Sequence, residues 1–119
     1  MPSIDECFRL AIDGAVNGDR DSRVTLEAVG DSTKWVQLSW DTINVAYPST
    51  QPPLQTLQRL SIALPEYVEV SAWEAHEHIT FEHGAEPVPD LVRFVEAYLS
   101  KVLHVPAGES ALHIVEGGP

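Results

Sequence analysis

KWVQLSWDTINVAYP, from Lys34 to Pro48, is the most strand-like stretch of the chain. Val36, Leu38 and Trp40 alternate with Trp35, Gln37 and Ser39. After Asp41, the residues Ile43, Val45 and Tyr47 alternate with Thr42, Asn44 and Ala46. Period two is the pattern of strands with one buried face. Asp41-Thr42 reads as a tight turn or a bulge, giving two antiparallel strands in place of one long one. Pro48 ends the run. Trp35 and Trp40 have opposite parity, so they are expected on opposite sides of the sheet.

Working outward, Val24, Leu26 and Ala28 alternate with Thr25 and Glu27, a strand from about Arg23 to Val29 that turns at Gly30-Asp31-Ser32. Further upstream, Ser3-Ile4-Asp5-Glu6 has the form of a capping box. Ile4, Cys7, Phe8, Ala11, Ile12 and Ala15 then form one apolar helical stripe, ended by Asn17-Gly18. Downstream, Pro53 enters a second amphipathic helix carrying Leu54, Leu57, Leu60 and Leu64, closed by Pro65. Tyr67 to Trp73 alternates again, Glu74 to Glu77 reads as a hairpin loop, and His78 to Glu82 returns with Ile79 and Phe81. Asp90 opens a third helix whose stripe is Leu91, Phe94, Val95, Tyr98 and Val102, broken by Pro106-Ala107-Gly108. Ala111 to Val115 makes a short extra C-terminal strand. The order α-β-β-β-α-β-β-α predicts an α+β fold: a mainly antiparallel sheet with helices on one face. At 119 residues the chain is expected to be a single domain over residues 1–119.

Composition narrows the function. Eighteen acidic residues against seven basic ones give a formal charge of −11. Phosphate binding draws on clustered Lys and Arg, so no nucleic-acid partner is expected. Acidity serves solubility, and it also attracts a basic protein surface. No apolar run reaches the ~20 residues of a membrane span, so no membrane partner is expected. The opening MPSIDECF is acidic and amphipathic, unlike a signal or transit peptide. The single cysteine excludes an internal disulfide and fits a reducing compartment, so a cytoplasmic location is expected.

One polar cluster invites a metal reading: Glu74-Ala75-His76-Glu77-His78, then Glu82-His83. In a regular strand His76, His78 and Glu82 share a face, and H-x-H-x-x-x-E is the core of the first cupin metal motif, with His113 as a fourth ligand. The flanking residues argue against it. Val70 and Pro89 stand where that motif carries glycines, and a helix separates Glu82 from His113 where a cupin continues with strands. The expectation is a hairpin turn and a solvated strand edge, with no metal. Cys7 lies on an apolar stripe, where cysteine is usually a small buried hydrophobe. There is no Gly-x-Ser-x-Gly elbow and no glycine-rich phosphate loop, and Asp19, Asp21 and Asp31 lack EF-hand spacing. No catalytic residue and no cofactor is expected. Among the aromatics, Trp35, Trp40 and Trp73 are the partner-binding candidates, since helices on one face leave the other free to present a Trp.

The element order resembles the fold of class I type III secretion chaperones, and more closely the TY-Chap domains of actinobacteria. The residues that carry the likeness are Lys34-Trp35-Val36-Gln37-Leu38, Leu57-Gln58-Arg59-Leu60, and Pro65-Glu66-Tyr67 leading to Trp73. The helix from Leu91 to Leu103, followed by Val105-Pro106, completes it. The order of elements covers nearly the whole chain, whereas the residue motifs are short and apolar. The resemblance implies a small, often dimeric, protein-binding module with no catalytic residues, here a homodimer with a chaperone-like role. A second reading is an acidic immunity-like inhibitor of one basic toxin or enzyme. A third is a small metal-dependent cupin-like enzyme.

Overall fold

The computed structural model describes residues 23–84, 87–105 and 112–115, together with Glu6 and Arg9. Six strands and two helices follow in order: β1 (Arg23–Ala28), β2 (Asp31–Ser39), β3 (Thr42–Ala46), α1 (Pro53–Arg59), β4 (Glu69–Glu74), β5 (His78–Glu82), α2 (Val88–Lys101) and β6 (Leu112–Val115). They form one antiparallel sheet in the order β4-β5-β3-β2-β1-β6. The fold is α+β, as the alternation predicts, and the C-terminal strand joins the sheet beside β1. The expected N-terminal helix and Cys7 fall outside the described residues, save that Glu6 and Arg9 are helical.

The sheet is two-faced because the strands alternate. Leu26, Val36, Leu38, Ile43, Val45, Ile79 and Phe81 share one side and are all nearly inaccessible to solvent. Helix α2 lies on that side. Phe94 and Tyr98 meet Phe81 edge-on, with ring centroids 5.0 and 6.4 Å apart. The Tyr98 hydroxyl donates to the Ala46 carbonyl at 2.7 Å, so the buried phenol is satisfied and fixes the helix against the end of β3. Burial pushes this phenol well above its ordinary pKa. Its stripe of Leu91, Phe94, Val95, Tyr98 and Val102 is buried as the spacing predicts. The helix begins at Val88, two residues before Asp90, because Pro89 fits a first turn whose N–H needs no partner.

The opposite side of the sheet is polar. Gln37 donates to Thr25 at 3.2 Å, Asn44 donates to Gln37 at 3.2 Å, and Thr80 donates to Asn44 at 2.5 Å. This row of side chains crosses β1, β2, β3 and β5 along paired positions. A one-residue slip would break the row and invert the buried face, so the two faces specify the same register.

Two further expected boundaries move. Helix α1 ends at Arg59, short of Leu64. Ser61 takes φ 58°, and the amides of Ser61 and Ile62 donate to the Gln58 and Leu57 carbonyls at 3.1 and 2.9 Å. That is a Schellman closure with serine in the left-handed position usually held by glycine. The turn in the opening stretch is Trp40-Asp41, not Asp41-Thr42. Ser39 Oγ accepts the Thr42 amide at 3.1 Å and ends β2 before Trp40. Trp40 therefore belongs to the turn and to neither face. Among the described residues no helix is long and apolar enough to cross a membrane.

Phe81 is the centre of the helix–sheet contact, so Phe81→Ala should cost about 3–5 kcal/mol. Tyr98→Phe leaves the Ala46 carbonyl without its donor and should cost about 1–2 kcal/mol. Urea unfolding of both variants checks this; a Tyr98→Phe protein as stable as the parent would remove the hydroxyl from the account.

Candidate functional site

The two sheet edges differ in what they present. β4 is an outermost strand, and every residue of it except Val70 is exposed. It reaches that edge because the chain leaves β3, passes through α1 and returns parallel to β3, and β5 then turns back to fill the place between them. Opposite β5, the pairs are Glu69 with Glu82, Val70 with Phe81, Ala72 with Thr80, Trp73 with Ile79, and Glu74 with His78. Ser71 is the extra residue of a bulge, and its hydroxyl donates to the Thr80 carbonyl at 3.3 Å. Bulges and charged ends are how edge strands resist unwanted pairing.

Trp73 shares the side of Ile79 and Phe81, beyond the reach of full burial. It is 39 % exposed and meets Tyr47 edge-on at 6.1 Å. Tyr47 is itself anchored: its hydroxyl donates to the Gln51 carbonyl and shares a hydrogen bond of 2.7 Å with Thr56 of α1. Among the described residues the large exposed apolar side chains are Val29, Leu54, Tyr67 and Trp73. Leu54 lies on α1 at 58 %, Tyr67 on the approach to β4 at 56 %, and α1 packs beside β4. Three of the four therefore lie on α1, on β4 or on the approach to β4. A groove of about 430 Å³ adjoins the same approach, with Ile62, Pro65, Phe94 and Ala97 in its lining and Glu66, Asp90 and Arg93 supplying charge.

The other two tryptophans differ from Trp73. Trp35 lies on the polar side, paired with Glu27, half-buried and packed against the core. Trp40 is half-buried in the β2–β3 turn.

The histidines separate. His76 occupies the β4–β5 turn with φ 61°, its amide donating to the Ser49 carbonyl at 3.1 Å. His78 and Glu82 do share the polar side of β5, but they stand at its two ends. Four residues of strand span about 13 Å, too far for one ion to hold both. His76 is not in the strand, so the three do not converge, and among the described residues no group of three such side chains is placed to hold a metal. His113 lies in β6, paired with Glu27 on the far edge.

His83 is the residue that the strand-edge expectation misplaced. It is 1 % exposed, not solvated. Nε2 lies 3.0 Å from the Ser39 carbonyl, which makes it the protonated nitrogen of the neutral ring, and the His83 amide donates to the Asp41 carbonyl at 3.0 Å. It thereby fastens the end of β5 to the β2–β3 turn. The signal was in the sequence: His83 continues the buried alternation of Ile79 and Phe81. Burial pushes this imidazole below its ordinary pKa, against the opposing pull of the Ser39 carbonyl and the Asp41 carboxylate.

Comparison of the chain with protein-family models, with curated proteins and with solved structures found no match.

The His83 shift has a definite sign. Below about pH 6.5 the unfolded chain binds a proton that the native ring refuses, so the unfolded state binds more protons. The contribution of the neutral ring is complete above about pH 6.5 and falls as the pH drops towards the lowered native value, by at most ~1.4 kcal/mol per pH unit. Urea unfolding at pH 7.5, 6.5 and 5.5 should show this loss, and His83→Gln should flatten it. An equal slope in the variant would assign the effect to other groups.

Proposed function

We propose that this chain is a non-enzymatic protein-binding module of the secretion-chaperone-like, TY-Chap-like kind, and that it receives its partner on the β4 side. The grouping of Leu54, Tyr67 and Trp73 carries this reading. Single exposed apolar residues are ordinary on a protein surface; three large ones on adjoining elements suit a contact surface whose anchors are aromatic. The resemblance in element order adds to it, since that order implies a module that binds other chains. Acidic residues flank Tyr67 and Trp73: Glu66, Glu69, Glu74 and Glu77 are all exposed. Such a rim steers a basic partner and raises the rate of encounter. The same rim suits either a chaperone-like role with several clients or an inhibitor of one basic protein.

The test is capture of partners from the native host with tagged protein, followed by mass spectrometry and stoichiometry. One basic partner at a fixed ratio favours the inhibitor role, and several clients favour the chaperone-like one. Trp73→Ala should cost only about 1–2 kcal/mol of stability, since the Tyr47 contact and part of its burial are lost. It should nevertheless weaken capture at least tenfold. Trp35→Ala should cost more stability and leave capture by the folded protein unchanged. The reverse pattern, with Trp35 controlling capture and Trp73 neutral, would move the partner surface to the polar side of the sheet.

A further inference from the structure

Taking the β4 side as the partner surface, the remaining question is how a partner engages it. Among the described residues β4 is bonded to β5 alone, which leaves the outer backbone of Glu69–Glu74 without a strand partner there. With Ser71 set aside as the bulge, five positions remain: Glu69, Val70, Ala72, Trp73 and Glu74. Glu69, Ala72 and Glu74 point to the polar side, and Val70 and Trp73 to the helix side, as their partners on β5 require.

Negative charge is concentrated at both ends of this strand. Glu69 stands directly opposite Glu82, an unfavourable like-charge pair. Neither takes part in the Lys34–Asp31 or the Arg93–Asp90 ion pair. At the other end, the Glu77 carboxyl hydrogen-bonds to Glu74 and repels it, which holds the Glu74 carboxyl above its ordinary pKa; His78 opposes this only in part. A second copy of the chain is a poor occupant. Two β4 strands paired antiparallel about Ala72 set Glu69 of each against Glu74 of the other, adding two like-charge contacts to those already present.

We infer that the outer edge of β4 accepts an extended segment of a basic partner, added antiparallel as a further strand and patterned basic–apolar–small–apolar–basic. The two basic side chains face Glu69 and Glu74, the apolar ones extend the Val70–Trp73 side, and the small residue lies beside Ala72. Main-chain hydrogen bonds supply attachment and the alternating side chains supply selectivity. The bulge at Ser71 restricts pairing to segments that follow the local twist.

The probe is a capped peptide, Gly-Ser-Lys-Val-Thr-Val-Lys-Ser-Gly, titrated into the whole protein and followed by amide chemical shifts. It should perturb residues 68–74 selectively. Replacing both lysines by glutamate should weaken binding at least tenfold, and raised salt should weaken the lysine peptide. The double variant Glu69→Lys with Glu74→Lys, confirmed as folded by its circular dichroism, should reverse the preference. Equal binding of both peptides, binding of neither, or a dimer of the protein with protected β4 amides would each overturn the inference. The capture experiment reads the surface independently. A partner retained through Trp73 without a lysine preference would remove the added strand and leave the binding surface standing.

Discussion

The edge-on contact of Phe81 with Phe94 and Tyr98 is the interaction on which the rest of the structure depends. It lies where β5, the strand inserted between β3 and β4, meets the one long helix of the described chain. Because α2 is fixed there, Ile43, Val45, Ile79 and Phe81 are covered, and the side with Gln37, Asn44 and Thr80 becomes the polar one. The Tyr98 hydroxyl then ties the helix to the Ala46 carbonyl, where β3 ends and the chain departs towards α1. Helix, sheet and crossover are thus set by one aromatic cluster and one hydrogen bond.

Much of this was legible in the residues. Period two in β1, β2, β3 and β5 identifies most of the buried side chains, Ala46 at the end of β3 excepted, and the 3.6 period of α2 identifies its stripe, because both patterns record burial directly. What escaped is where local hydrogen bonds override the pattern. Ser39 captures the Thr42 amide and takes Trp40 out of the strand. Ser61, left-handed, ends α1 at Arg59, six residues before the proline that was expected to close it. The bulge at Ser71 shifts the register of β4, so that Trp73 lies over the Ile79 side although period two alone sets it opposite Val70. No composition signal marks these positions, since serine and aspartate compete for backbone groups in ways that depend on the surrounding chain.

The candidate site was legible only in part. Trp73 is one of three partner-binding candidates in the sequence, and nothing in its spacing separates it from Trp35 and Trp40. What separates them is the order of the strands, which leaves β4 outermost and Trp73 against Tyr47 at the margin of the core. The acidity of the chain likewise acquires meaning through pairing. Glu69 and Glu82 are distant acids in the sequence that face each other across β4 and β5, while Glu74 at the end of β4 meets Glu77 of the following turn. The His-rich stretch goes the other way: proximity in sequence becomes a turn, two strand ends and one buried ring.

Amide hydrogen exchange on the free protein tests the central claim most directly, because an open β4 edge is a statement about unpaired backbone. The account predicts slow exchange in β3 and β5, which are bonded on both sides, and fast exchange at those β4 amides that point away from β5. Uniformly slow exchange along β4 would mean that the edge is already covered, and would contradict the account.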